Sequence, residues 1–211
     1  MDGAEGKHPD SDRLAAQRLV GHQVDRLYGG LPAILVNLAV MPVVVGVAFW
    51  GSVSSTALAS WVVASLVVLA LRYALMKAYQ RRPPGADDAL RWANRFTLTS
   101  LASGLLWGAA GWAFFTPDSA ALQVFLYTSL VGLAAGSIIV TSYWLPAYFA
   151  FAVPSVGLAA LRLVMEGGAE YISLAFLMGM YLVIITRVAR VQHAAGQSLV
   201  RLRDENVDLV E

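Results

Sequence analysis

Between Arg26 and Arg72 the chain has no charged side chain at all. Further uncharged stretches run from Phe96 to Pro117, from Ser119 to Leu161 and from Tyr171 to Thr186. A helix crossing roughly 30 Å of hydrocarbon needs about 20 consecutive, mostly apolar residues, and these stretches supply that length several times over. Composition agrees with the clustering. Of 211 residues, 58% are hydrophobic and 14% charged, against about a quarter charged in an ordinary soluble domain. The pattern predicts an all-α, polytopic membrane bundle.

Six spans are expected, at about 31–51, 56–77, 96–115, 121–141, 146–165 and 171–190. Trp50, Trp61, Trp92, Trp112, Trp144 and Tyr171 fall at or near their ends, where amphipathic rings sit at membrane interfaces. The hinges Gly51–Ser55, Thr116–Ser119, Tyr143–Pro146 and Glu166–Glu170 are short. Short connections make sequential helices antiparallel neighbours. Pro42 and Pro154 fall within spans one and five, where each removes a helix hydrogen bond and favours a kink.

Orientation follows from where the basic residues lie. With a cytoplasmic N-terminus, fourteen of the fifteen Lys and Arg residues fall on the inner side, counting Arg72 as reaching inward from span two; Arg162 is the exception. The outer hinges hold Asp118, Glu166 and Glu170. The positive-inside rule therefore puts both termini in the cytoplasm. No cleavable signal peptide is expected, because the first thirty residues are polar and lack a short apolar core.

Three regions result: a cytoplasmic N-terminal segment (1–30), a six-helix membrane domain (31–190) and a cytoplasmic helix (191–211). Residues 1–11 read as disordered. In 11–28, Leu14, Leu19, Val20, Val24 and Leu27 recur at helical spacing among charges, which predicts an amphipathic helix on the inner membrane face. Gly29 and Gly30 are expected to break it before Pro32 opens the first span. At the other end span six continues without a proline into Leu199, Leu202, Asn206 and Leu209, spaced three, four and three. That is a coiled-coil seam with a polar residue at an a position, a device that fixes register in parallel dimers. A homodimer is expected, with a local hinge at Gly196.

The run Gln23–Pro32, with Asn37 and Leu38 after it, resembles the entry to a six-helix sensor region found ahead of bacterial hybrid sensor histidine kinases and, in looser relatives, ahead of GGDEF cyclase domains. The tail Leu202–Glu211 is similar to the linker before the phospho-accepting helix of those kinases. The resemblance implies a sensory input module. The chain stops before any phospho-accepting His box or ATP-binding lid, so kinase activity is implied only for a longer protein and this chain is expected not to be an enzyme.

Site chemistry is sparse. There is no cysteine, so disulfides, thiolate metal sites and a cysteine nucleophile are excluded. His8, His22 and His193 all fall outside the spans, which argues against intramembrane haem ligation, a Ser–His protease or a His-based zinc site. No span holds paired carboxylates for a proton relay, and no phosphate loop or nucleic-acid surface appears. No cofactor is expected. Arg72 is expected to snorkel to the inner interface. Arg162 is expected to pair with Glu166 one turn later, or alternatively to meet an anionic ligand entering from outside.

A pocket for a small amphipathic or lipid-like ligand would draw on Asn37, Ser103, Trp107, Tyr127, Thr128, Arg162 and Tyr181. The competing reading is that such side chains hydrogen-bond between helices. Gly104 with Gly108, and Gly132 with Gly136, form GxxxG pairs that let helix backbones approach closely, within one chain or between two. Membrane lipids are the other expected partner. A small transporter or channel, and a passive membrane anchor, are the alternative functions.

Overall fold

The computed structural model describes the backbone of residues 9–81 and 88–208 and the side chains of 19–81 and 88–198. Its elements are seven helices: α1 (Pro9–Gly29), α2 (Leu31–Ala48), α3 (Ser55–Arg81), α4 (Ala89–Ala113), α5 (Ala120–Thr141), α6 (Leu145–Glu166) and α7 (Ala169–Asp208). No strand occurs among the described residues. Five stretches are long and apolar enough to cross a membrane: Leu19–Ala48, Ser55–Arg81, Ala120–Thr141, Leu145–Glu166 and Ala169–Ser198. The chain is therefore built as a multi-pass membrane protein.

Helix α4, which covers the expected third span, is not among those five. Its length is sufficient, but Thr97, Thr99, Ser100, Ser103 and three glycines dilute its apolar content. The same small residues let it sit deep in the bundle. Ser100, Ser103, Gly104, Trp107, Gly108, Ala110 and Gly111 are all buried, and α4 packs most extensively against α6.

The α4–α6 contact follows from two local features. Pro154 has no N–H, so the Ala150 carbonyl loses its partner in the α6 ladder. A Cβ added at Gly104 would stand 2.5 Å from the Phe151 carbonyl oxygen and 2.8 Å from that of Ala150. At Gly108 it would strike the Pro154 carbonyl oxygen. Only glycine fits either place, and the first GxxxG pair is therefore consumed inside the chain. Gly132 and Gly136 differ, since a Cβ there meets nothing within 4 Å. The second pair lies on an open face of α5.

From α2 onward the helices alternate in direction, which gives the bundle a basic end and an acidic end. The basic end holds Arg26, Lys77, Arg81, Arg91, Arg95 and Arg190, and the acidic end holds Asp118, Glu166 and Glu170. A large core runs from Phe49, Trp61 and Phe114 through Tyr127, Tyr148 and Val156 to Ala189. A second, smaller core fills the basic end, where α1 meets α3 and α4.

That smaller core corrects two expectations. The C-terminal half of α1 packs on the bundle rather than on a membrane surface, because Val24 and Leu27 are fully buried and Tyr28 nearly so. Tyr28 stacks on Tyr79 with ring centroids 4.0 Å apart, and Trp92 stands edge-on to both. These rings on α3 and α4 bury more apolar area than an interface offers. Nor do the glycines break the chain sharply. Gly30 keeps right-handed helical angles and its N–H reaches the Arg26 carbonyl at 3.2 Å. Its missing side chain is needed because Val140 of α5 lies where a Cβ would be. Helix α1 also begins at Pro9, inside the stretch read as disordered.

Helix α7 is continuous for 40 residues, about 60 Å at 1.5 Å per residue. Gly196 does not interrupt it; a Cβ added there would stand 4.0 Å from the Tyr143 ring in the α5–α6 turn. Leu199, Leu202 and Asn206 lie on this helix, but their side chains, and Leu209 altogether, lie outside the described residues.

Candidate functional site

The acidic end contains the most polar arrangement within the bundle. It starts from the α4–α5 turn, Thr116-Pro117-Asp118-Ser119. The Ser119 hydroxyl caps α5 by accepting from the Leu122 N–H at 3.4 Å, the usual service of serine at a helix start. The cap sets the phase of α5 and places Gln123 one turn inside. Gln123 is buried, and its Nε2 donates to the Thr116 carbonyl at 2.9 Å and to the Tyr171 hydroxyl at 3.3 Å. One amide thus ties the turn to the first turn of α7.

One turn deeper on α5 lies Tyr127, which is 3% exposed and whose hydroxyl has no partner. The Thr116 hydroxyl is likewise buried without one. An unmet buried hydroxyl costs about 1–3 kcal/mol, so both are disposed to bond an entering polar group. Arg162 of α6 closes the side. It pairs with Glu166 at 2.7 Å, as the i, i+4 spacing implied, and its guanidinium lies 4.0 Å from the centroid of Phe115. The Phe115 ring leans on Tyr171, 5.6 Å away. The result is a polar cluster packed among aromatic rings, with one internally balanced ion pair and two buried hydroxyls that lack partners.

The seven residues expected to line a pocket do not converge. Arg162 and Tyr127 belong to this end of the bundle. Trp107 is buried edge-on against Trp61 at 5.0 Å. The Ser103 hydroxyl donates to the Thr99 carbonyl of its own helix at 3.0 Å, and Tyr181 donates to the Val131 carbonyl at 3.1 Å. Of these, Tyr181 hydrogen-bonds between helices, Trp107 packs on a neighbouring helix, and Ser103 bonds back to its own helix. Asn37 and Thr128 lie on exposed faces of α2 and α5. Both are correctly polar, but helical phase turns them away from the bundle. Phe115, Thr116 and Tyr171 were missed as site residues; the Ser119 cap four residues before Gln123 was the available signal.

Arg72 requires a correction. Instead of snorkelling to the interface it is 3% exposed, with Nη2 donating to the buried Ser100 hydroxyl at 3.0 Å and its guanidinium 5.0 Å from the Phe96 centroid. Arg72 faces α4 rather than the lipid, so the phase of α3 directs the side chain inward. At the same end, His193 of α7 meets the Ser142 carbonyl through Nδ1 at 2.8 Å, and Gln197 meets its Nε2 at 3.0 Å. Gln197 donating to Nε2 fits the neutral tautomer with its proton on Nδ1.

No group of three or more His, Cys, Asp or Glu residues with metal-holding geometry occurs among the described residues. The chain matches no protein-family model, no curated protein and no solved structure. Its chemistry is read from its own residues. They offer a small buried polar cluster tied to the start of α7 and a hydrogen-bonded contact near the far end of the same helix.

Proposed function

We propose that this chain is the membrane-embedded input and dimerisation module of a bacterial signalling receptor, sited in the inner membrane with both termini cytoplasmic. In this reading α4 is a sixth crossing, shielded from lipid on much of its surface, and the basic end faces the cytoplasm by the positive-inside rule. A small amphipathic ligand or a membrane property acts at the acidic, outer mouth. The output is a domain following the helix, of the histidine-kinase class that the entry and tail motifs resemble. Two copies pair through Leu199, Leu202, Asn206 and Leu209.

One observation carries the proposal. Helix α7 closes the outer mouth with Tyr171, is held at the inner turn by His193, and runs between them without a break. A displacement at one end of a stiff helix is felt at the other, and a change of ligand occupancy would bias two packings by its difference in affinity for them.

Orientation is checked with a membrane-impermeant thiol reagent, for which the cysteine-free chain is an ideal background. Ser52→Cys and Asp118→Cys should label from outside intact cells, and Ser198→Cys only after lysis; the reverse pattern would overturn the topology. Transmission is tested with a spin label on Ser198→Cys in nanodiscs. Gln123→Leu cuts both amide bonds at the outer mouth and should shift the mobility or the inter-copy distance of that distant label. An unchanged spectrum would leave the anchor reading standing.

A further inference from the structure

Arg72 plays no part in the outer mouth, yet it is the most costly side chain in the bundle. An arginine cannot shed its proton inside a protein, and a charge at membrane depth is expensive unless compensated. Arg72 lies nine residues before Arg81, about 13 Å along α3. It has one neutral hydrogen-bond partner, Ser100, and one ring face, Phe96, while its Nε has no partner. Among the described residues no carboxylate meets it. Asp25 accepts from the Tyr79 hydroxyl and Asp88 pairs with Arg91.

The surroundings point to what compensates it. Phe96, Tyr28 and Trp92 form one aromatic wall, Tyr28 standing edge-on to Phe96 at 5.8 Å and to Trp92 at 5.7 Å. Arg72 lies against one end of the wall, and the exposed Arg95 lies over Trp92 at the other, 5.0 Å from its centroid. Lys77, Arg81 and Arg91 are exposed at the same end of the bundle. A guanidinium fork matches phosphate oxygens in pairs, and basic recesses between helices at the cytoplasmic side suit anionic lipid headgroups.

We propose that the α1–α3–α4 junction binds the phosphate of an anionic phospholipid, with Arg95 as its entry contact and Arg72 as its inner partner. The Arg72 side chain is 3% exposed, so the headgroup reaches it by displacing Tyr28 of α1. Lipid occupancy and docking of α1 then oppose each other. This site is independent of the outer mouth and stands or falls separately.

The test is native mass spectrometry of the full chain in detergent, titrated with dioctanoyl-phosphatidylglycerol, dioctanoyl-phosphatidylcholine or inorganic phosphate. Phosphatidylglycerol should bind at one preferred site, well ahead of phosphatidylcholine. Arg72→Gln should weaken it about tenfold or more, the loss of one charge-assisted hydrogen bond; Arg72→Lys should weaken it less. Arg95→Gln, an exposed change that leaves the fold intact, should weaken it about twofold to fivefold, because a solvent-screened contact contributes less than a buried one. Tyr28→Ala should tighten it. Equal binding by the wild type and both Gln variants would overturn the proposal. So would full competition by inorganic phosphate at matched concentration, which would make the occupant a soluble anion.

Discussion

Gly108→Val should cost this bundle about 3 kcal/mol, at the upper end of what an overpacked site loses. The added side chain would have to occupy the space of the Pro154 carbonyl oxygen and the Leu158 side chain. Backbone cannot rotate away as a side chain can, and α6 is already committed on its other side to Val156 and Leu163 in the core. Gly104→Val should behave alike, since its neighbours are also α6 carbonyls. The control is built into the sequence. Gly132→Val and Gly136→Val repeat the chemistry on α5, where nothing lies within 4 Å, and should stay within about 0.5 kcal/mol of wild type. Unfolding by denaturing detergent, followed by helical circular dichroism, separates the two pairs. A loss at Gly132 as large as that at Gly108 would mean that the α5 face is covered in the assembled protein, most simply by a second copy.

The contrast between these pairs shows what could be read in advance. Both motifs were visible as spacing, yet only the position of Pro154 opposite Gly104 decides which is used, and that is a fact about two helices remote in sequence. The helical class and most span limits were legible because charge-free length is a one-dimensional property. The Arg162–Glu166 pair was legible for a similar reason, four residues on one helix being neighbours by geometry alone. Arg72 was not. Its distance from the span end allowed snorkelling, and the choice of inward burial rests on Ser100 and Phe96 of α4 and on Tyr28 of α1. Asn37 and Thr128 failed as pocket residues because the apolar faces of α2 and α5 are too uniform to reveal which side meets protein. In a membrane helix both sides are greasy, so hydrophobic phase loses the power it has in water.

Val191→Pro should bend α7 beyond the last core contact while leaving the bundle assembled. Val191 is 64% exposed and Ala189, two residues earlier, is fully buried, so the break falls between the last core residue of α7 and its contacts with the α5–α6 turn. Proline there deletes the bond to the Arg187 carbonyl and crowds it, at a cost of about 3 kcal/mol to local helix continuity. Labels on Ile172→Cys and Ser198→Cys, both at exposed positions, should lie about 39 Å apart in the parent protein, 26 residues at 1.5 Å each. The proline variant should shorten and broaden that distance. Residues upstream, Ala175, Met178 and Ile185, keep their burial in the core, so thermal unfolding of the bundle should shift little. The His193 contact to Ser142 lies on the far side of the break and should be lost with it. If α7 acts as a rod, Gln123→Leu at the outer mouth can no longer move a label at Ser198 in the proline background. If the inner label still responds, the signal travels through α6 and the α5–α6 turn instead, and continuity of α7 is not what couples the two ends.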